Sequence, residues 1–545
     1  MNPPSTPWWN RIWVIQEVVA PPLIDVVYGA CSAPWNMFTL AAWSQINHST
    51  HCCADKYARL PRDLRKVLED FSQRVTGIDE LRNAQNLFNR QVREPEPVGR
   101  SLLELLRRFR DRKASDPRDK VYALLSLVRS EQESFALPML PDYALSESEV
   151  FTKATLQCIY TSRSLSVFST ELGRKFRSDL PSWVPDWGAP GGYTYTVRAR
   201  AVELYDACPS DKTIENLVQL SGTSRLMVRG FQFERVRSLG DTMWGDDVDF
   251  CRDTLAKWWQ QTSQEDTFMA SAERKAYRAF GALICGDVIC KTQADYVVRR
   301  AVARDELHFV TWSLFSSRSP FRYVPEYVHH ALWSNLAKAY RRLLLLWSKL
   351  AVSPFQRYVR NPEMYFPQWK PQGEVIYEHG QQMTLDERAM IKRLLDAVHP
   401  YERFKVPDLI DDAGHFREDA PWKELYDDVM KQLSERYGLD HPSMLHPTKD
   451  DVSMIDDSIM AATLSRRLIV GEYLVGLGPA NTMVGDELCL LEGGKTPFVL
   501  RRRDGGDRNE HDQIEYEVVG DCYVQTMMDD GPARVTRRWR ALTLV

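Results

Sequence analysis

The spacing of hydrophobic residues changes repeatedly along the 545-residue chain. Up to about residue 210, apolar residues recur at helical intervals, which predicts a largely helical region. Residues 217–239 alternate with a period of two, a pattern that is typical of a strand. Helical spacing returns over residues 245–460, and short strand patterns separated by glycine turns follow from Arg466 onward.

These patterns predict an α+β protein with mostly helical N-terminal and middle regions. The C-terminal strands are predicted to form an antiparallel β barrel or sandwich. The β segment near residue 220 can join those strands, which makes the long helical block an insertion between them. The predicted segments are an N-terminal segment at 1–48, a helical and loop region at 49–210, a β segment at 211–240, a helical insertion at 241–464 and a β domain at 465–545.

The first residues combine aromatic residues with proline. PWWNRIWVIQEVV (7–19) predicts a helix that starts at Pro7 and ends before Pro21. LIDVVY (23–28) predicts a short buried strand of a covered sheet. A helix that leads into a buried strand this early has nothing upstream to pack against. We therefore expect the chain to begin in the middle of a domain.

Composition excludes several classes of protein. Apolar residues make up 44% and charged residues 26% of the chain, as in ordinary globular proteins. A net charge of −4 argues against a dedicated nucleic-acid binder. The most apolar helix, around 331–352, carries four basic residues, so we expect no membrane span. The ten cysteines show no framework spacing and no signal peptide precedes them, which predicts reduced thiols in a cytoplasmic protein.

Four phrases resemble those of the fungal heterokaryon-incompatibility (HET) family, and they occur in that family's usual order. They are WWNRIWVIQEVV (8–19), DPRDKVYALLSL (116–127), LPSWVPDW (180–187) and YLVGLGPANTMVGDELCLLEGGKTPFVLR (473–501). The resemblance implies that 1–48 is the C-terminal remnant of a TIR-like α/β HET domain whose opening strands are absent. It also implies a role in non-self recognition and programmed cell death after hyphal fusion. The expected mechanism is self-association or binding of a protein partner.

The same resemblance offers one catalytic candidate. HET domains distantly resemble TIR domains, some of which cleave NAD with a glutamate, and Glu17 is the acid in the matching phrase. On a continuous helix Trp13 would share a face with Glu17 and desolvate its carboxylate. Arg11, Trp13 and Gln16 would then be binding residues. The alternative is that Gln16 and Glu17 satisfy backbone groups or pair with an arginine such as Arg11.

Enzymatic activity would also need the missing strands to build a nucleotide pocket. We therefore expect no catalysis and no cofactor from this chain. An NAD-hydrolysing enzyme completed by an upstream half is the main alternative, and a nonfunctional truncated remnant is the other.

Two resembling phrases contain residues that favour structural roles. Asp116 is predicted to cap a helix, with Asp119 near its positive end. Trp183 and Trp187 flank a proline in SWVPDW, which predicts an anchored loop more than a ligand shelf. GGKT (493–496) and GLGPAN (476–481) lack glycines that nucleotide-binding loops require, so both predict hairpin turns.

His48, His51, Cys52 and Cys53 are the densest group of potential metal ligands. A structural zinc site takes four ligands, usually as two separated pairs, and adjacent cysteines rarely bind one ion. We therefore predict no metal site here, with a metal role as the minor alternative.

Overall fold

The computed structural model describes residues 7–50, 52–53, 56–57, 59–89, 101–128, 139–191, 195–208, 218–219, 224–263, 273–291, 297–302, 305, 308–309, 312, 316–320, 375–378, 381–384, 449–503, 514–529 and 539–545. The apolar helix predicted around 331–352 lies outside these residues. So does much of the predicted helical insertion.

The described chain contains both helices and strands, which confirms the α+β class. The helices are α1 (Pro7–Asn10), α2 (Val14–Val19), α3 (Trp35–Thr50), α4 (Arg62–Asn89), α5 (Leu102–Arg108), α6 (Asp119–Leu125), α7 (Glu147–Ser162), α8 (Tyr195–Val202), α9 (Val248–Ser263), α10 (Glu273–Cys285) and α11 (Lys449–Thr463). Two short 3-10 helices span Ser166–Ser169 and Gln525–Met527.

The strands are short, and most of them pair antiparallel. They are β1 (Asp25–Tyr28), β2 (Cys31–Pro34), β3 (Val218–Gln219), β4 (Leu226–Arg235), β5 (Ser238–Thr242), β6 (Val288–Lys291), β7 (Val297–Arg300), β8 (Val375–Glu378), β9 (Gln381–Thr384), β10 (Arg466–Val470), β11 (Val475–Pro479), β12 (Glu487–Leu491), β13 (Phe498–Arg502), β14 (Glu515–Asp521), β15 (Tyr523–Val524) and β16 (Arg540–Leu544).

The chain divides into two compact units. The terminal unit comprises residues 1–237, 292–296 and 481–545, and the middle unit comprises residues 238–291 and 297–480. The N-terminal helices and the last strands therefore belong to one unit. The sequence analysis instead assigned the N-terminal helices and the last strands to separate regions of the chain.

The largest sheet lies in the terminal unit, and its pairings form a circuit. One part of β4 pairs with β16, along Leu226–Gly230, and the part from Gly230 to Arg235 pairs with β12. From β12 the pairing continues through β13 to β14, which pairs parallel with β16. The circuit thereby returns to β4, while β3 pairs with the beginning of β4.

The helices and this sheet share one hydrophobic core. Val14, Leu105 and Phe151 from the helices belong to the same buried cluster as Phe498 and Leu542 from the strands. Burial of apolar surface is the main favourable term in folding, so these elements stabilise one another. The C-terminal strands thus help to stabilise the N-terminal helices.

Main-chain hydrogen bonds join the loops of the terminal unit to its sheet. Leu165 N donates to Gly493 O at 2.8 Å, and Ser182 N donates to Val545 O at 2.9 Å. Gly493 has a φ of 79° in the turn between β12 and β13. The predicted hairpin turn at GGKT is therefore confirmed.

In the described part of the middle unit, four strand pairings fall into three separate groups. β10 pairs antiparallel with both β5 and β11, β6 pairs with β7, and β8 pairs with β9. Ser458 of α11 accepts a hydrogen bond from Cys290 N at 2.8 Å, which ties that helix to β6. The predicted helical insertion therefore also contains strands. The strands of its two hairpins are only four residues long, so the helical pattern of the surrounding sequence hides them.

Three local predictions are wrong. The helix predicted at 7–19 is interrupted at 11–13, because Ile12 N donates to Lys113 O at 2.9 Å instead of continuing the helix. Strand β1, predicted to be buried, is mostly exposed and pairs with β2 in a hairpin. GLGP was predicted to be a tight turn but forms most of β11, and the turn lies at 471–474.

Two glycines of the terminal unit are expected to respond in opposite directions to alanine. A Cβ atom on Gly230 would collide with Leu542 Cδ1 and lie 2.8 Å from Leu491 Cδ2, so Gly230→Ala overpacks the core. We expect the free energy of unfolding to fall by about 1–3 kcal/mol. In α4, a Cβ on Gly77 has 3.9 Å to its nearest neighbour. There Gly77→Ala should raise stability by about 1 kcal/mol, because alanine favours the helix.

Urea unfolding of the full chain, followed by hydrogen exchange of terminal-unit peptides, measures both changes. A destabilised Gly77→Ala variant, or a Gly230→Ala variant of unchanged midpoint, would contradict the packing described for these positions.

Candidate functional site

The predicted site residues lie around the break between α1 and α2. Arg11 is exposed, and its backbone forms an isolated bridge with Lys113. Trp13 Nε1 donates to Asp119 Oδ2 at 2.9 Å, and Gln16 Nε2 donates to Ser126 Oγ at 2.7 Å. Trp13 and Gln16, two of the three predicted binding residues, therefore hold α2 against α6 and the residue that follows it.

The indole that bonds the Glu17 carboxylate is that of Trp8, which the sequence analysis did not assign to it. Glu17 Oε2 accepts a hydrogen bond of 2.7 Å from Trp8 Nε1, and the Glu17 side chain is exposed. Trp13 keeps its helical position relative to Glu17, since Glu17 N donates to Trp13 O at 3.1 Å, but the Trp13 indole N–H donates to Asp119. An exposed carboxylate keeps its water, so the desolvation that the acid–base hypothesis needs is missing.

Asp119 is the centre of a polar cluster that the sequence did not reveal. Its second carboxylate oxygen, Oδ1, accepts a hydrogen bond of 2.7 Å from Tyr143 Oη. This bond raises the pKa of Tyr143 to about 12. The Arg118 guanidinium lies 5.2 Å from the Tyr143 ring centroid and donates to the carbonyls of Tyr143 and Leu145 at 2.8 Å. Tyr143 and its loop are thus held by two residues of the 116–127 phrase.

Asp116 completes the cluster at the start of α6. Its Oδ1 accepts the Arg118 backbone N–H at 3.0 Å, and its carboxylate pairs with the Arg118 guanidinium at 2.7 Å. The hydrogen bonds from Arg118 hold the pKa of Asp116 below its usual range. Asp116 therefore orders the turn before α6, but it is not the cap residue that was predicted, because α6 begins at Asp119 with Arg118 at its N-cap position.

Buried cations that bind main-chain carbonyl oxygens are the most unusual feature of the terminal unit. They are Arg82, Arg107, Arg110, Arg112 and Lys120, each at most 8% exposed. Buried charges are rare unless they are paired or fully hydrogen-bonded. Here main-chain carbonyls of loops and short helices supply hydrogen bonds, and Arg107 also pairs with Glu203 at 3.1 Å.

Arg82 and Lys120 show how these cations act. Arg82 donates to Val18 O at 2.7 Å and to Pro22 O at 2.6 Å, which holds the chain after α2. Lys120 donates to Arg110 O at 2.7 Å and also to Arg112 O. Burial lowers the pKa of Lys120 to about 8. The role of these residues is positional, since Arg82 holds the end of α2 and the chain after it, and Lys120 holds the turn after α5.

The tryptophans of LPSWVPDW are also anchors, as predicted. Trp183 and Trp187 are fully buried, and Trp183 Nε1 donates to Ser224 O at 3.0 Å. The Arg110 guanidinium lies 5.5 Å from the Trp187 ring centroid. Indole rings that are this deeply buried have no free face on which a ligand could stack.

One group of metal-ligating side chains converges within the described residues. His48 Nδ1 lies 2.9 Å from Cys52 Sγ and 3.6 Å from Cys53 Sγ, and the two sulfur atoms are 3.9 Å apart. Cys52 and His48 are exposed and Cys53 is half-buried. The spacing of adjacent cysteines had argued against such a convergence.

A second feature that sequence reasoning missed is a set of exposed apolar side chains just before and on the β1–β2 hairpin and on α3. We call this set the hairpin–helix surface, and its members are Leu23, Val27, Tyr28, Met37, Leu40 and Trp43. Leu23 is 89% and Leu40 67% exposed. The opposite face of α3, with Trp35 and Ala42, is buried in the core of the unit.

Within the part of the chain that the structure describes, no helix combines the length and the apolar character that crossing a membrane requires. Comparison of the chain with protein-family models, with curated proteins and with solved structures found no match.

Proposed function

We propose that the chain is a HET-like protein of fungal non-self recognition that acts by self-association through its hairpin–helix surface. The observation that carries this proposal is the exposure of six large apolar side chains within residues 23–43. Exposed apolar surface is costly in water, and concentrated apolar side chains are typical of protein interaction sites. The four HET-like phrases supply the biological setting.

The hairpin itself favours a second copy of the chain as the partner. Among the described residues, β1 and β2 form a two-stranded sheet, so no third strand pairs with the outer edge of β1. An open edge presents N–H and C=O groups that template pairing with another strand. A two-stranded ribbon alone is only marginally stable, so it gains from further strands.

Self-pairing of β1 is also compatible with its side chains. An antiparallel pair centred on Val26 and Val27 places Val26 opposite Val27 of the second copy, and Asp25 opposite Tyr28. No like charges then face each other, which satisfies the rule for cross-strand pairs. The resulting contact is isologous, as in most symmetric dimers.

The terminal-unit sheet has a supporting role in this proposal. We propose that the circuit of β4, β12, β13, β14 and β16 is a small closed barrel, which is supported by the two-sided pairing of β4. Such a scaffold would present the N-terminal helices rigidly, since both share one hydrophobic core.

The enzymatic alternative has less support. It rests on Glu17, whose carboxylate is exposed and bonded to the Trp8 indole. The binding residues assigned to it contact α6 and Lys113 instead of Glu17. We therefore place self-association first.

Val27→Glu and Leu40→Glu are expected to weaken self-association of the full chain at least about tenfold each, because each places a charge in an apolar contact that costs more than 1.4 kcal/mol to bury. Sedimentation equilibrium over a concentration series measures the dissociation constant. Leu140→Glu is the matched control, since Leu140 is 74% exposed and lies outside the surface. Expression of the same variants in fungal hyphae then relates self-association to cell death.

A wild-type chain that stays monomeric at every concentration would refute the proposal. Equal weakening by Leu140→Glu would point to a general effect of charge instead of this surface.

A further inference from the structure

We infer that His48, Cys52 and Cys53 bind a zinc ion, with the fourth position of the ion open to solvent. The three ligand atoms, Nδ1 and two Sγ atoms, all lie within 4.8 Å of one another. This site is separate from the contacts of Glu17 and does not depend on self-association.

The distances fit one tetrahedral ion. Zinc bonds of about 2.3 Å to sulfur and about 2.0–2.1 Å to nitrogen place two sulfurs about 3.8 Å apart and a sulfur about 3.6 Å from a nitrogen. The observed separations are 3.9 Å between the sulfurs and 3.6 Å between Cys53 Sγ and His48 Nδ1. The third separation, 2.9 Å between Cys52 Sγ and Nδ1, is that of a hydrogen bond and must lengthen as the ion enters.

The backbone explains why adjacent cysteines can both face His48. His48 lies in the last turn of α3, and Cys53 N donates to His48 O at 2.9 Å. This bond folds the chain back after the helix, which brings both thiols to the imidazole. Tyr57 N in turn donates to Cys53 O at 2.8 Å, and Tyr57 Oη donates to Glu69 Oε1 of α4 at 3.1 Å. The turn is therefore fixed from both sides before any ion binds.

The donor set selects the ion. Thiolate and imidazole ligands suit zinc and other soft or borderline cations, whereas calcium and magnesium prefer oxygen ligands. Three protein ligands with one open position are typical of zinc sites that keep a bound water. The ion would link the end of α3 to the connection that leads into α4, and it would displace two thiol protons on binding.

The test uses the full chain, reduced and stripped of metal by a chelator. Zinc is titrated in competition with a chromogenic chelator, and cobalt is then substituted so that thiolate-to-cobalt absorption reports the number of bound sulfurs. We expect one tight site per chain with two thiolates. Cys52→Ser, Cys53→Ser and His48→Ala should each weaken zinc binding at least about 100-fold, beyond the usual effect of losing an outer-shell partner. Each cysteine variant should also lose one thiolate from the cobalt spectrum.

Cys31→Ser is the matched control, because Cys31 is an exposed free thiol of the same unit outside the cluster. It should bind zinc as the wild type does. Because His48 and Cys52 are exposed and Cys53 is half-buried, the variants should keep the fold, which circular dichroism checks. Wild-type binding no tighter than that of a His48→Ala, Cys52→Ser, Cys53→Ser triple variant, or loss of binding in Cys31→Ser, would overturn the inference.

Discussion

Replacement of Arg110 by methionine is expected to lower the free energy of unfolding of the terminal unit by about 4 kcal/mol. The Arg110 guanidinium is 2% exposed and donates to three backbone carbonyls. These are Ala189 O at 2.9 Å, Thr170 O at 2.9 Å and Asp186 O at 3.0 Å. Methionine fills a similar volume but leaves all three oxygens buried without this donor. Each such loss costs about 1–3 kcal/mol, and relief of the buried charge offsets only part of the total.

The loop from 170 to 189 should respond first. It carries Trp183 and Trp187, and Arg110 joins its two ends. Hydrogen exchange of peptides from this loop, measured together with the urea midpoint of the full chain, reports both the local and the global effect. Arg110→Lys should also destabilise, since one ammonium cannot reproduce the planar fork that reaches three separated carbonyls.

Arg503→Met provides the matched control for loss of an arginine. Arg503 is 59% exposed in its side chain and pairs with Glu517 at 2.8 Å. Exposed pairs contribute little, so the unfolding free energy should change by less than about 1 kcal/mol. Equal effects of the two substitutions would show that the buried carbonyl contacts of Arg110 do not stabilise the unit.

Trp183→Ala is expected to destabilise the same unit by about 3–5 kcal/mol, because it opens a cavity in a fully buried site. It also leaves Ser224 O without the indole donor, which lies 3.0 Å away in the wild type. The neighbouring Ser182 bonds to Val545 O and accepts from Val518 N at 2.9 Å, so β14 and the chain end after β16 should loosen together.

Phe176→Ala tests whether aromatic loss alone has this effect. Phe176 is 74% exposed in the same segment, so its truncation should change stability by less than about 0.5 kcal/mol. Exchange protection in β14 and β16 should fall in Trp183→Ala and remain in Phe176→Ala. Unchanged protection in Trp183→Ala would mean that this loop does not hold the sheet.

Short-range features of the fold could be predicted from the sequence. Helices α5 and α7 begin at capping boxes, in which Ser101 pairs with Glu104 and Ser146 with Glu149. Both partners lie within four residues, so local chemistry decides where these helices start. The strand patterns after Arg466 and the turn at GGKT were predicted for the same reason.

The candidate site depended on contacts that the sequence does not encode locally. Trp13 was assigned to Glu17, four residues away, yet its partner Asp119 is 106 residues away in the chain. The break at 11–13 arises because Lys113 offers hydrogen bonds that compete with the helix. A buried strand was predicted at LIDVVY because its composition is apolar, but composition does not say which element will cover it. The convergence of His48 with two adjacent cysteines likewise follows from a turn that spacing rules did not anticipate.

The sequence by itself determined the α+β class, the starts of α5 and α7 and the strand-rich character of the chain after Arg466. The tertiary structure alone decided that the first helices and the last strands share a core, and that buried cations anchor the loops between them. It also decided that Trp13 contacts Asp119 and that β1 is exposed. Helix caps and turns depend on residues within a few positions of one another. Burial and long-range hydrogen bonds depend on which distant segment of the chain packs against a given residue.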